Sequence, residues 1–409
     1  MNYSIMIPYF LCKAKKEKKL FFIQFGGQGN SFFKEMQILY ERNDLKEFFD
    51  VAFAAIEYCL NREDIKSHSD IFYPEGFPLK DWLEKRKQPK EDHLSICTIT
   101  FPGNQITQLG NLYAFIKNGY DPEEFLPYVH STTGHSGGLQ AAVIFALGKK
   151  GKDLLEIIYK FIIWYTVAGY HVQKAYGFKE IPQDLLEWSL KVDREKPYPM
   201  AVVSNISFSL LEDLIEEFHK KFPDTRAFPI KISLINGKNI FVITGHAENL
   251  ALFRKNYYEY FINNNYKWNY IPVSAPFHRW DTMKEKIYDF YNDEACKNIT
   301  ITGKDLKIPV ISFTDDAVNL QNIQNIAEYL ADAMMNQVLY WDKAIYPLFE
   351  EQTNIDYVID FGPGKITTIL TKLALQDYPK KYIEIHSCVG RAGLNHVLKK
   401  VNPEHCDES

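Results

Sequence analysis

Gly134-His135-Ser136-Gly137-Gly138 fits G-x-S-x-G, a pattern in which the chain turns so sharply that the serine Oγ stands clear of its neighbours and can act as a nucleophile. Such a turn needs small flanking residues, because larger side chains would collide across it. The context agrees with the letters. Tyr128 to Thr133 reads as a strand leading into Gly134, and Leu139, Val143, Ala146 and Leu147 give the segment after it the buried face of a helix. A Gly-rich turn with a capping serine is the plainer alternative.

Serine is a weak nucleophile and needs a base, usually histidine, within hydrogen-bond reach. The chain has 11 histidines, so composition does not choose among them. His278 stands out because it follows Ser274-Ala275-Pro276-Phe277 where a loop can cross above a sheet. His135 adjoins Ser136, but neighbours at an elbow point different ways, which leaves it a packing or hydrogen-bonding role. His171 and His219 read as helix-surface residues. Gly26-Gly27-Gln28-Gly29 closes the apolar run that starts at Lys19; such a loop can aim backbone N–H groups at an oxyanion, cradle a phosphate or simply turn the chain. It has neither the Gly-Lys-Ser/Thr ending of a Walker A loop nor G-x-G-x-x-G spacing, which argues against nucleotide binding.

The elements that must position these residues follow from length and pattern. At 409 residues the chain exceeds the roughly 100–200 of one domain, so a core with an insertion is expected. Met200 to Val273 reads β-α-β-β-α-β: strands Met200–Ile206, Ile230–Asn236, Ile240–Thr244 and Lys267–Val273, with a hairpin turn at Asn236 to Asn239 and a first helix opened by a Ser209/Glu212 capping box. That order is the ferredoxin-like arrangement. Residues 199–273 are therefore assigned as an inserted subdomain, and 1–198 with 274–409 as an α/β core. In the core, Ile308–Phe313 and Tyr357–Phe361 read as strands, helices begin near Ser31 and Ile106, and the polar stretch Asn61–Ser95 reads as a surface connection with a helical piece around Trp82.

Composition excludes several classes. Hydrophobic residues make 46% and charged residues 24%, as in ordinary globular proteins. With 47 Lys and Arg against 52 Asp and Glu, the net charge of -5 offers no global field for nucleic acid. No apolar stretch approaches the ~20 residues that span a bilayer, so no membrane partner is expected. Apolar Ile5–Cys12 precedes its basic cluster, the reverse of a secretory signal. Six scattered cysteines, without CxxC pairs or metal-ligand spacing, read as reduced thiols of a cytoplasmic protein that holds no metal.

FGGQG (Phe25–Gly29), GFPLKDWLE (Gly76–Glu84), ITQL (Ile106–Leu109), GHSGG (Gly134–Gly138), SLINGKNIFVITG (Ser233–Gly245), SAPFH (Ser274–His278) and DFGPG (Asp360–Gly364) occur in an order that resembles the acyl-CoA:acyl-carrier-protein acyltransferases, the malonyl-CoA transacylase-like family. More closely, the chain resembles the acetyltransferase domain at the start of the fungal fatty acid synthase β subunit. The resemblance implies an α/β-hydrolase-like core with an inserted ferredoxin-like subdomain, Ser136 as nucleophile, His278 as base, and the N–H groups of Gln28 and Gly137 as an oxyanion hole. It also implies that the Met334 carbonyl orients the imidazole and that Asn236 lies near the substrate. Asp360 reads as a strand-end structural acid rather than a partner of His278.

Three positions depart from the family pattern. Gly137 stands where Gln or Leu is usual, Arg279 replaces a serine and can meet a phosphate or face solvent, and Ala168 occupies the position of the arginine that pairs with a malonyl carboxylate. The implied function is transfer of a short neutral acyl group, acetyl foremost, from acyl-CoA to an acyl carrier protein, in fatty acid or polyketide biosynthesis and without a cofactor of its own. Lys160, His171 or Arg279 are the cations that can instead serve a charged acyl group, and Lys149, Lys150 and Lys152 are either a carrier-docking surface or a solvated helix end. A carrier thioester hydrolase with the same dyad and a non-catalytic synthase subunit are the other readings.

Overall fold

Two five-stranded sheets carry the site. The computed structural model describes residues 6–29, 31–278, 284–378 and 382–405. Numbered along the chain, the strands of these sheets are β1 (Leu20–Phe25), β2 (Val129–Gly134), β3 (Met200–Ser204), β4 (Lys231–Gly237), β5 (Ile240–Thr244), β6 (Lys267–Tyr270), β7 (Val310–Ile311), β8 (Leu339–Tyr340), β9 (Ile355–Asp360) and β10 (Glu384–Ser387). The helices that matter to the site are α1 (Cys97–Lys117), α2 (Gly138–Ala146), α3 (Gly151–Tyr176), α4 (Phe208–Lys221), α5 (Ala247–Asn256) and α6 (Ile326–Met335).

The core sheet runs β10-β9-β1-β2-β7 with every pairing parallel. Strands inside a parallel sheet are covered on both faces and read as apolar runs; Phe21, Phe22, Ile23 and Phe25 of β1 are all buried. Ligands in such folds bind beyond the carboxyl ends of the strands. Gly26 to Gly29 and the Ser136 elbow leave the ends of neighbouring strands β1 and β2.

The second sheet has the order β6-β3-β5-β4-β8. Its first four strands pair antiparallel, with α4 and α5 packed on one face through Leu211, Phe218, Leu250 and Phe253. This is the expected ferredoxin-like arrangement, and the fold as a whole is an α/β-hydrolase-like core with that subdomain inserted. The fifth strand, β8, adds in parallel to β4 and comes from outside residues 199–273. The expected capping box does not form. Ser207 caps α4 instead, its Oγ accepting the Leu210 N–H at 3.4 Å.

Other differences have physical causes. Helix α1 starts at Cys97, well before Ile106, and is buried on every side from Cys97 to Phe115, so it lacks the one-sided stripe that marks a surface helix. The stretch expected as surface holds four short helices whose Ile65, Phe72, Trp82 and Leu94 are buried, with Phe77 and Trp82 in ring contact at 5.5 Å. Cys59, Cys97, Cys296 and Cys388 are free and buried, but Cys12 is disulfide-bonded. Pairing of Ile7–Pro8 with Lys400–Val401 brings the chain ends together around it, a proximity invisible in the order of residues.

Candidate active site

The elbow is built as its letters demand. Ser136 has φ 51°, a left-handed conformation that non-glycine residues adopt at a cost and that clusters at functional sites. A Cβ on Gly134 would overlap the Gly138 carbonyl, and one on Gly138 would overlap the backbone of Phe25 and Gly26. Gly137 is different. It has φ -57°, and a Cβ there would meet only Tyr165, at 3.4 Å from its hydroxyl. Gly134→Ala is accordingly expected to lower the denaturant midpoint by the equivalent of at least ~3 kcal/mol, or to prevent folding. Gly137→Ala should stay within about 1 kcal/mol of the parent; equal midpoints for the two variants would refute this account of the turn.

His278 returns to the core from the insertion, also in a left-handed conformation with φ 58°. Its Nε2 lies 2.8 Å from Ser136 Oγ, and its Nδ1 lies 2.9 Å from the Gln337 carbonyl. A carbonyl only accepts, so Nδ1 carries the proton and Nε2 presents its lone pair to the serine hydroxyl. Burial pushes the His278 pKa down to about 4, with the Gln337 carbonyl opposing and His135 adding to the shift. The Met334 expectation is corrected here. Its carbonyl accepts the His278 backbone N–H at 3.2 Å, while Gln337, past the end of α6, holds the imidazole. No side-chain signal could have revealed a backbone contact.

The surrounding groups are likewise explicit. Gln28 lines the cavity beside Ser136, and among the described residues neither the Gln28 nor the Gly137 N–H has a backbone acceptor outside regular helices and strands. The loop that presents Gln28 is pinned on both sides: the Gly26 N–H donates to the Gly362 carbonyl at 2.8 Å, and the Gln108 amide donates to the Gly26 carbonyl. Asn236 Oδ1 accepts from His135 Nε2 at 2.9 Å, and burial lowers the His135 pKa to about 4. Asp360 is buried and accepts from Gln24, Gly362, Thr367 and Thr368. It ties β9 to β1 and to the turn after it, and makes no bond to His278.

A cavity of about 210 Å³ opens on Ser136 and His278. Its apolar wall includes Met200, Val202, Leu234, Val242, Ile271 and Phe277, and no Lys, Arg, Asp or Glu is among its described lining residues. The insertion supplies most of this wall because its strands alternate. Ala201, Val203, Phe241 and Ile243 face α4 and α5, so Met200, Val202 and Val242 face the core. On β4 the register shifts between Ile232 and Leu234, and this irregularity turns Leu234 toward the cavity although Ile232 faces the helices.

Some expected site residues lie elsewhere. Ala168 is buried in α3 and does not line the cavity; α3 packs on α1 so closely that a Cβ on neighbouring Gly169 would fall 2.6 Å from the Cys97 carbonyl oxygen. Arg279 lies outside the described residues. Lys160 pairs with Glu156 at 2.8 Å on the surface, and His171 pairs with Asp293, which Arg62 also holds. His219, expected on a helix surface, is buried and bonded to Thr225 at 2.7 Å. Lys150 is engaged by Asp121 and Glu123, which weakens the case for that basic cluster as a docking surface. Tyr165, missed in the sequence, donates its hydroxyl hydrogen bond to the Gly137 carbonyl.

A serine elbow at the carboxyl end of a parallel sheet, roofed by an inserted ferredoxin-like sheet, is the architecture of the acyl transacylases. Residues 23–278 match the family described as the starter unit:ACP transacylase in aflatoxin biosynthesis, and the chain belongs to that family. It is 26% identical over 366 residues to the fatty acid synthase subunit beta of Saccharomyces cerevisiae, covering 83% of this chain and 17% of that subunit. It is 26% identical over 351 residues to the corresponding subunit of Gibberella zeae, covering 84% of this chain and 16% of that one. The chain thus spans less than a fifth of these relatives. In fold it is similar to the malonyl CoA-acyl carrier protein transacylase of Coxiella burnetii, with TM-score 0.62, 17% identity, and coverage of 97% of this chain and 98% of that one. It is also similar to PlMCAT, a malonyl-transacylase solved in complex with its type II PKS acyl-carrier protein, with TM-score 0.61, 15% identity, and coverage of 93% and 99%.

Proposed function

We propose that the protein moves a short neutral acyl group, acetyl foremost, from CoA to the phosphopantetheine thiol of an acyl carrier protein through an ester on Ser136. The observation that carries this reading is the 2.8 Å hydrogen bond between Ser136 Oγ and His278 Nε2 at the wall of a cavity without a charged lining residue. As Oγ attacks the thioester carbonyl carbon, its proton passes to Nε2. The carbonyl oxygen becomes an oxyanion, received by the Gln28 and Gly137 N–H groups. Collapse breaks the C–S bond, CoA leaves with the proton from the imidazolium, and the acyl ester remains. The carrier thiol then gives its proton to Nε2, its sulfur attacks the ester, and the serine recovers the proton as it leaves. Both halves balance with no metal or redox group; acyl-CoA enters as substrate, and the phosphopantetheine belongs to the partner.

The insertion, residues 199–273, acts in this reading as the roof of the acyl cavity, and Asn236, fixed by His135, faces the bound thioester. The carrier partner is supported by the family and by the carrier complex of PlMCAT. No described helix is long and apolar enough to cross a membrane. Four free buried cysteines fit a reducing, cytoplasmic setting, although the Cys12 disulfide runs against it. The test is to mix acetyl-loaded protein with saturating holo-carrier and quantify both products. Acetyl-carrier should form faster than free acetate, and the opposite ranking would make the protein a thioester hydrolase.

The buried base also sets a pH profile. With its pKa near 4, His278 remains neutral far below the ordinary histidine value of about 6.5. The acid limb of kcat/KM for acetyl loading should therefore lie between about pH 4 and 5, with at least about three-quarters of the activity kept at pH 5.5. A limb centred near 6.5 would place the base elsewhere. Stability moves in the same direction. Between pH 6.5 and about 4 the unfolded chain binds protons that native His135 and His278 refuse, so stability falls as pH drops through that window, and rates there must be taken in short assays.

A further inference from the structure

We propose that Tyr165 is a positioning residue for acyl transfer: its hydroxyl holds the Gly137 carbonyl while its ring fills the space that a side chain at position 137 would take. The inference rests on the reading of Gly137 as an oxyanion donor and deepens it. Tyr165 is buried on α3, and its hydroxyl donates to the Gly137 carbonyl. A Cβ added to Gly137 would lie 3.4 Å from that hydroxyl and 3.7 Å from the ring edge. A longer side chain pointing the same way would run into the ring, so glycine at 137 and tyrosine at 165 are complementary.

The arrangement answers a problem that the sequence itself creates. Glycine has the widest backbone freedom of any residue, and here it directly follows a serine held at φ 51°. Rotation about Gly137 is the easiest way for that strain to relax, and it would swing the N–H away from the oxyanion, whose donors must sit about 2.7–3.1 Å from it. Fixing the Gly137 carbonyl closes that route.

Packing alone does not explain the hydroxyl. Tyr165 sits among the rings of Phe101 at 5.8 Å and Trp164 at 5.2 Å, and Phe101 in turn stacks at 4.6 Å on Phe277, next to His278. Phenylalanine would fill this aromatic wall without taking a hydroxyl out of water. Among the described residues, the Gly137 carbonyl accepts that hydroxyl's hydrogen bond.

Tyr165→Phe keeps the ring and removes the hydroxyl, so the test is single-turnover loading from acetyl-CoA in the full chain. The maximum loading rate should fall about tenfold, as expected for a misplaced reacting geometry, with the half-saturating acetyl-CoA concentration changed less than about twofold. Adding Gly137→Ala to Tyr165→Phe should recover most of the loss, because alanine narrows the same torsions at a φ it tolerates. An unchanged loading rate in Tyr165→Phe, or a loss that Gly137→Ala does not relieve and that follows a lowered denaturant midpoint, would overturn the positioning role while leaving Ser136 chemistry intact. Absence of loading in the parent protein would instead sink the acyl-enzyme reading, and this inference with it.

Discussion

Ser136→Ala is expected to abolish covalent loading from acetyl-CoA. The parent should gain one acetyl group, seen in the intact mass and mapped to the peptide that carries Ser136, and the variant should gain none. The expectation follows from the 2.8 Å bond to His278 Nε2 and from an elbow that aims Oγ at the cavity. The obvious competitors are thiols, which are intrinsically better nucleophiles. Burial pushes Cys59 and Cys97 up to about 12 and Cys388 well above its ordinary value, so almost no thiolate is present at neutral pH. Undiminished loading of Ser136→Ala would show that another side chain carries the acyl group. His278→Ala should keep the serine but lose its base, slowing loading and transfer by about 10²- to 10⁴-fold. Near-parental rates in that variant would move the base to another histidine.

Acetyl-CoA should outcompete malonyl-CoA for loading by at least ~100-fold. A malonyl carboxylate entering this cavity would leave water for a largely apolar wall that includes Met200, Val202, Leu234, Val242, Ile271 and Phe277, beside the neutral Gln28, Asn236 and Asn269 and with no Lys or Arg among its described lining residues. An unpaired buried carboxylate costs several kcal/mol, and each ~1.4 kcal/mol is tenfold in selectivity. The two other described candidates are engaged elsewhere: Lys160 pairs with Glu156, and His171 Nε2 lies 3.3 Å from Asp293. Ala168, which the family resemblance sets in the place of the arginine of malonyl-specific enzymes, supplies no cation and is buried on the same helix as Tyr165. That segment is filled by aromatic packing, with Tyr165 on Phe101 and Phe101 on Phe277. Competition between the two thioesters for limiting protein, read by intact mass, decides the matter. Preferential malonyl loading would show that the argument from Ala168 and the uncharged cavity is wrong.

Much of the fold was legible because its signals are local. The GHSGG elbow works through glycines that admit no Cβ at Gly134 and Gly138, and such requirements act over a few neighbouring residues. The insertion could be read from its order of strands and helices, since β6 and α4 carry the alternating and helical patterns that burial on one face imposes. Helix α1 escaped its true start because burial on all sides erases that pattern.

From its residues alone, the chain specifies an α/β core, an inserted β-α-β-β-α-β unit, a serine at a strand-to-helix turn and a histidine where the chain re-enters the core. Side-chain type and spacing encode each of these. Only the tertiary structure decides that Ser136 and His278 meet at 2.8 Å, that Gln337 rather than Met334 orients the imidazole, and that β8 completes the inserted sheet. It alone decides that a register shift on β4 turns Leu234 into the cavity and that Tyr165 closes over Gly137. These outcomes depend on backbone carbonyls, strand register and the packing of residues far apart in the chain, for which no residue type or spacing is a code.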